Sequence, residues 1–400
     1  MFRLLVVVTV LFMTTDAQRN RNESWSFLRR WSMIPWYIGV NQLPIFLDTI
    51  SADTKLQEVP SLDDNLPSVR LTNFKNVNYY GTIKIGIPSQ EFKVVFDTSS
   101  PHFWIFSKKS TNPVAWARCQ YDNTFSNSYI PNNTPFHVRY LDYNVTGFLS
   151  TDTVNVANLI VKNQTFAEVV NVSDVNTFKF YVNILDRRYD GLLGLSYSNI
   201  SVGAITPIFD NMIQQGVVSS RIFSFYLNRN ASADLGGKLI FGGSEPAYYK
   251  GVFTYVPVTR KGYWQFTIDS IQINDFTWCE GSCQAIADTS AWKIIGPENN
   301  ILLINRFIGT NPRGRVNCNK ISQLPTIRFN LSGKAFNLTG KDYIIRDPDD
   351  ESICITVFWK HDPTYDGEVK WVLGMPFMGR YYTEFDMQRN RVGFALAKNV

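Results

Sequence analysis

Phe92-Lys93-Val94-Val95-Phe96-Asp97-Thr98-Ser99-Ser100 and Cys283-Gln284-Ala285-Ile286-Ala287-Asp288-Thr289-Ser290-Ala291 are the two stretches on which the reading of this chain turns. Each is an apolar run of the kind that makes a buried strand, and each leads into Asp-Thr-Ser. One aspartate at the end of a strand is usually no more than a turn former. Two of them, half a chain apart and in the same local setting, point to a duplicated lobe that brings one carboxylate from each copy to a shared axis.

Outward from these stretches the chain keeps one character. Short runs rich in Val, Ile, Phe, Tyr and Thr, such as Tyr79-Tyr80-Gly81-Thr82-Ile83-Lys84-Ile85-Gly86 and Lys238-Leu239-Ile240-Phe241-Gly242-Gly243, are broken every few residues by Gly, Pro, Asn or Asp. That is a pattern of strands and turns. Helical periodicity is scarce and is clearest over 205–215, where Pro207 suits a first turn and Gly216 a stop. The predicted fold class is all-β with few short helices. At 400 residues the chain exceeds one small core and leaves room for two domains and a processed leader.

The N-terminal residues set the compartment. Arg3, the apolar run from Leu4 through Met13 and the small residues ending at Ala17 have the layout of a cleaved signal peptide over 1–17, too short in its apolar part to span a bilayer. Residues 18–68 differ in composition, with Arg19, Arg21, Arg29 and Arg30 near Trp25, Trp31 and Trp36 and then an acidic, Pro-containing stretch, and read as a leader or prosegment. The expected product is secreted, extracellular or luminal, with no membrane partner. Asn-x-Ser/Thr triplets at Asn22, Asn132, Asn144, Asn163, Asn171, Asn199, Asn230, Asn330 and Asn337 fit that route and predict N-linked glycans. A net charge of +5, spread along the chain, argues against a nucleic-acid partner. His102, His137 and His361 form no cluster at metal-ligand spacing, and each is expected to be solvated or hydrogen-bonded.

Further motifs follow in an ordered series. Tyr80-Gly81-Thr82-Ile83 and Gly86-Ile87-Pro88 precede Asp97, and Trp104 follows it; then come Asp190-Gly191-Leu192-Leu193-Gly194-Leu195, Phe209-Asp210-Asn211, Phe241-Gly242-Gly243, Gly262-Tyr263-Trp264-Gln265 and Leu373-Gly374 through Tyr381-Tyr382-Thr383-Glu384-Phe385-Asp386. In this order, from Tyr79 to the end, the chain resembles the pepsin-like aspartic peptidases. The resemblance implies a bilobal double-lobe acid protease fold, with an N-terminal lobe over 69–248, a C-terminal lobe over 249–400 and a peptide or protein ligand held in the cleft between them. It implies a monomer without metal or cofactor. It also implies disulfides Cys279–Cys283 and Cys318–Cys354, with Cys119 unpaired, either a buried free thiol or an intermolecular link.

Such a site needs two carboxylates close enough to share one proton, because like charges at short range do not both ionise cheaply. The ionised member accepts a proton from a bound water that attacks the peptide carbonyl, while the protonated member donates to the carbonyl oxygen. The resemblance gives these roles to Asp97 and Asp288. It makes Thr98 and Thr289 a lock across the axis, Ser100 a hydrogen-bond partner of Asp97, and Tyr140 the flap tyrosine that closes over substrate.

The chain also departs from the family where catalysis is concerned. Ser99 and Ser290 replace glycine in both loops, which predicts either backbone strain or an added hydrogen bond favouring the ionised aspartate. Ala291-Trp292 stand for Thr and Ser, removing a hydroxyl partner of Asp288 and adding bulk; losing one well-placed donor typically costs about 10²- to 10³-fold in rate. Leu141-Asp142-Tyr143-Asn144 replaces a Gly-rich flap tip, and a glycan on Asn144 would obstruct the cleft. Two readings follow: an active aspartic endopeptidase, or, as the substitutions favour, a catalytically impaired homologue that acts as a secreted peptide-binding or structural protein.

Overall fold

The computed structural model describes residues 66–140, 143–174, 188–279, 283–360 and 369–398. The signal peptide over 1–17, the leader up to 65 with Asn22, Leu141 and Asp142 of the flap, and His361 lie outside the described residues. Strands dominate, and two sets of them repeat one another. In the first, Gln90–Asp97 runs parallel to Gly191–Gly194, which is antiparallel to Phe103–Phe106, which is parallel to Leu159–Asp174. In the second, Cys283–Ala287 runs parallel to Val369–Leu373, which is antiparallel to Ile294–Gly296, which is parallel to Phe358–Lys360. The antiparallel partner on the outer side is matched too, Asn78–Ile85 in one set and Trp264–Ile268 in the other. Interior strands with parallel neighbours are covered on both faces, and so Val94, Val95 and Phe96 in one copy and Ala285, Ile286 and Ala287 in the other are buried without alternation.

The end of the chain ties the two sets together. Tyr381–Asp386 and Arg391–Ala397 pair with each other, and the former pairs with Ile222–Leu227, whose other neighbour Gly237–Phe241 leads on to Ser68–Phe74. The chain thus crosses back over the 248/249 line. Phe223, Phe385 and Trp264 close this join, with ring centroids 4.9 Å apart for Phe223–Phe385, 5.6 Å for Phe223–Trp264 and 5.0 Å for Trp264–Phe385. Trp264 is fully buried, and its Nε1–H donates to the Leu195 carbonyl at 3.0 Å. Truncating an aromatic in such a place to Ala costs about 3–5 kcal/mol, so this cluster holds the two aspartate strands in fixed relation.

The helix expected over 205–215 forms as Ile208–Gln214. It starts later because Pro207 stands outside as the N-cap, at ψ 150°, rather than in the first turn; Gly216 stops it at φ +65°. The longest helix among the described residues, Glu298–Ile308, falls outside the expectation. It is bounded by Pro297 and the left-handed Gly309 and buries Ile301, Ile304 and Ile308 along one face.

Both expected disulfides, Cys279–Cys283 and Cys318–Cys354, are formed, which implies folding in an oxidising compartment. Cys119 is unpaired but exposed, not buried as one expectation had it. It follows the short helix Pro113–Trp116, where its N–H is held by Asp190 Oδ1 at 2.9 Å while its side chain lies at the surface.

Candidate active site

Both aspartates sit where a parallel strand pair ends. Asp97 closes the strand Gln90–Asp97, level with Gly194, and a Cβ on Gly194 would lie 2.3 Å from the Ser100 carbonyl oxygen. Glycine is what lets the loop after Asp97 fold back onto the neighbouring strand. Asp288 follows Cys283–Ala287, its N–H donating to the Leu373 carbonyl at 3.1 Å. Here Gly374 supplies the clearance: a Cβ would lie 2.2 Å from the Ala291 carbonyl oxygen.

Threonines lock the loops across the axis. The Thr98 N–H donates to Thr289 Oγ1 and the Thr289 N–H to Thr98 Oγ1, both at 3.0 Å. The Thr98 hydroxyl donates to the Ala287 carbonyl at 2.8 Å, and the Thr289 hydroxyl to the Phe96 carbonyl at 2.6 Å. Both side chains are buried, so leaving any of these groups unpaired would cost more than the roughly 1 kcal/mol net that each bond contributes.

Asp97 and Asp288 are each 2% exposed. Asp97 Oδ1 accepts the N–H and the hydroxyl of Ser99, both at 2.7 Å. Asp288 Oδ1 accepts the Ser290 N–H at 2.8 Å, the Ser290 hydroxyl at 2.7 Å and the Ala291 N–H at 3.2 Å. Each serine hydroxyl also bears on the aspartate of the other loop, which makes one cluster of four side chains. Burial, and then the neighbouring Asp288 charge, pushes Asp97 up to about 7 despite these donors. Burial likewise holds Asp288 above the usual carboxylate range. Two carboxyls in this state hold one proton between them over a span of acidic pH. Neither Ser99 nor Ser290 has a positive φ, so the change from glycine acts through hydrogen bonding and not through backbone strain.

The family model of the eukaryotic aspartyl proteases matches residues 78–397. This chain belongs to the eukaryotic aspartyl protease family. It is 41% identical to cathepsin D of Gallus gallus over 333 residues, 81% of this chain and 82% of that one. It is 40% identical to renin of Canis lupus familiaris over 340 residues, 82% of each chain, and 36% identical to cathepsin E-B of Xenopus laevis over 337 residues, 83% of each.

Around the carboxyl pair, one candidate residue stands differently from expectation. Ser100 does not reach Asp97; its Oγ accepts the His102 N–H at 3.2 Å and lies 3.2 Å from His102 Nδ1 and 3.5 Å from Tyr140 Oη. Ser99, one residue nearer, has the place at the carboxylate. Beside Ala291, Trp292 packs with Trp359 around a cation: Lys293 Nζ lies 4.5 Å from the Trp292 ring and 3.4 Å from that of Trp359, and the two rings meet edge to face at 6.2 Å. Ala291 lacks a hydroxyl, and its backbone N–H partly stands in for one.

Tyr140, the expected flap tyrosine, is fixed at its hydroxyl, its ring and its backbone. Its Oη accepts the Trp104 Nε1–H at 3.2 Å, its ring stacks on Tyr143 at 4.9 Å, and its N–H donates to the Tyr143 carbonyl at 2.8 Å, closing the hairpin tip tightly. Asn144 pairs with Arg139 just behind that tip and is half-buried. Of the other sequons, Asn132, Asn163, Asn171, Asn199, Asn230 and Asn337 are exposed, whereas half-buried Asn330 already donates through Nδ2 to Ser270 Oγ at 2.7 Å. The sequence leaves His102 either solvated or hydrogen-bonded, and the structure makes it the second, between Ser100 and Val202. Its closeness to Asp97 was the one signal of a larger part, and spacing alone does not say which way a ring points.

Proposed function

We propose that this protein is an acid-range aspartic endopeptidase, secreted as a precursor, that hydrolyses extended peptide chains held between its lobes. The observation that carries the reading is the state of the carboxyl pair: buried, locked in register by Thr98 and Thr289, and raised together, Asp97 to about 7. Asp288 has three protein donors on Oδ1 and Asp97 has two, so the negative charge resides on Asp288 and the shared proton on Asp97. Ionised Asp288 takes a proton from a water set between the carboxyls as the water oxygen attacks the peptide carbonyl carbon. Asp97 gives its proton to the carbonyl oxygen, forming a gem-diol, and return of a proton to the amide nitrogen lets the C–N bond break. Tyr140, held by Trp104, covers the bound chain. The same reading makes 69–248 and 249–400 the two lobes of a glycosylated monomer.

An impaired, peptide-binding homologue is the second reading, and one observation favours it. Each Oδ1 carries a side-chain hydroxyl in addition to its backbone donors, which leaves fewer acceptor sites for the water. The deciding experiment incubates the protein at about pH 3 to 6 with an unfolded protein substrate, beside Asp97→Asn. Cleavage that the variant lacks supports the peptidase. Silence from folded, deglycosylated protein, with turnover appearing in Ser99→Gly/Ser290→Gly, supports the binder.

A further inference from the structure

His102 stands where three pieces of chain meet beneath the flap. The ring is buried at 5% exposure. Phe136, from the flap strand Ile130–Arg139, meets it edge-on at 5.7 Å and 71°. The Val202 backbone N–H, from the segment over 198–205, donates to Nε2 at 3.1 Å, and Nδ1 lies 3.2 Å from Ser100 Oγ of the first catalytic loop. A backbone amide can do nothing but donate, so Nε2 is an acceptor and the neutral ring carries its hydrogen on Nδ1, aimed at Ser100.

That assignment sets the direction of every hydrogen bond beyond it. Ser100 Oγ accepts from His102 Nδ1–H and from the His102 N–H, so its own hydrogen is left for Tyr140 Oη at 3.5 Å. Tyr140 Oη also accepts the Trp104 Nε1–H, which occupies both of its lone pairs. The phenol hydrogen is then free to be given away, on the side where the Asp97 charge is felt.

We propose that His102 is a positioning residue for the flap: its neutral, Nδ1-protonated ring orients Ser100 and Tyr140 so that Tyr140 offers its hydroxyl hydrogen to the bound peptide, and protonation of the ring releases the flap. A hydrogen on Nε2 would face the Val202 N–H, donor against donor at 3.1 Å, and would place a charge in an apolar pocket. Among the described residues, the groups in contact with the ring carry no charge. The first loop brings the Ser100 hydroxyl, with Asp97 beyond it; the flap strand brings the Phe136 ring and, through Ser100, the Tyr140 phenol; 198–205 brings the Val202 peptide; and Gly194 donates its N–H to the His102 carbonyl at 2.8 Å. His137, next along the flap strand, is exposed. Burial alone lowers the ring's titration to about 4, within the working range of an acid peptidase. The kinetic consequence rests on the peptidase reading; the binding consequence does not.

The test uses the full-length protein, beside His102→Asn, in which the amide still reaches Ser100 but cannot titrate, and His102→Gln, which reaches toward Val202 and misses Ser100. Long-range ¹H–¹⁵N correlation of the imidazole nitrogens, assigned by the signal that His102→Asn lacks, is expected to find the Nδ1–H tautomer at neutral pH. An Nε2–H tautomer, or titration near the ordinary histidine value, overturns the proposal. Affinity for an octapeptide with Phe on either side of a non-cleavable CH2–NH link should fall about tenfold between about pH 5 and pH 3 in the wild type, tracking the loss of neutral ring one unit below its pKa. It should stay level in His102→Asn and be low throughout in His102→Gln. In turnover the same break should appear in KM more than in kcat. If nothing is cleaved but the affinity break is present and vanishes in His102→Asn, the peptidase reading fails and this one stands. If cleavage proceeds and His102→Asn leaves both profiles as they were, this one fails alone.

Discussion

Replacing Ser99 and Ser290 by glycine removes two hydroxyls that donate to the catalytic Oδ1 atoms at 2.7 Å. A hydrogen bond to an ionised acceptor is worth about 1.5–3 kcal/mol, and at 1.36 kcal/mol per pKa unit each supports the charged form by roughly one to two units. The backbone N–H donors remain and water takes over part of the lost donation, so a net rise of about one unit is expected for the pair. The sign is set by the hydroxyls now lowering Asp97, which stands at about 7 with both in place. The assay is kcat/KM on an unfolded protein substrate from about pH 2 to 8, whose two limbs report the carboxyl pair of the free enzyme. Both limbs should move to higher pH by about a unit in the double variant and by less in each single one. A second readout needs no turnover. A carboxyl whose folded pKa exceeds its ordinary value of 3.8 contributes stability that is complete below 3.8 and is lost as pH rises through the folded value. In the glycine variant that decline should run about one unit further toward alkaline pH. Superimposable bells from two well-folded proteins, or a shift to lower pH, would refute the reasoning.

Asp97→Asn cannot lose a proton, so beyond abolishing cleavage it should be more stable than the wild type by up to about 4 kcal/mol at neutral pH, a gap that closes toward pH 3; equal chemical denaturation at pH 7 would count against the raised pKa. Thr98→Val leaves the Ala287 carbonyl and the Thr289 N–H buried without their partner, at about 1–3 kcal/mol each, and urea unfolding should read a loss of about 2–6 kcal/mol together with near-total loss of cleavage. Breaking Cys318–Cys354, which closes a separation of 36 residues, with a double alanine variant should cost about 3–4 kcal/mol in thermal unfolding. Asn144→Gln should shed one glycan in intact mass and raise kcat/KM for long peptides severalfold; an unchanged mass would mean the site is not occupied.

The parts of this protein legible in its sequence are those encoded by contiguous residues. The strand preceding each aspartate and the doubling of that unit rest on short local patterns, while the pairing of the four cysteines was legible only through the family resemblance, since Cys318 and Cys354 lie 36 residues apart. Glu298–Ile308 had such a pattern as well, in Pro297, Gly309 and its isoleucine spacing, but eleven residues amid strands are a weak signal. The exposure of Cys119 was not legible, because burial depends on what folds over a residue from elsewhere in the chain.

The sequence by itself determined that two Asp-Thr-Ser loops end two buried strands, since strand periodicity and the Asp and Thr positions act over a few residues, and its ordered series of motifs carried the resemblance that implies two lobes. Tertiary structure alone decided which hydroxyl meets which carboxylate. The loops fold back over Gly194 and Gly374, turning Ser99 and Ser290 onto the aspartates and Ser100 onto His102 and Tyr140. It also decided the charge state of the site, because a carboxyl's proton affinity depends on the water removed and the like charge brought near when the lobes close on one another.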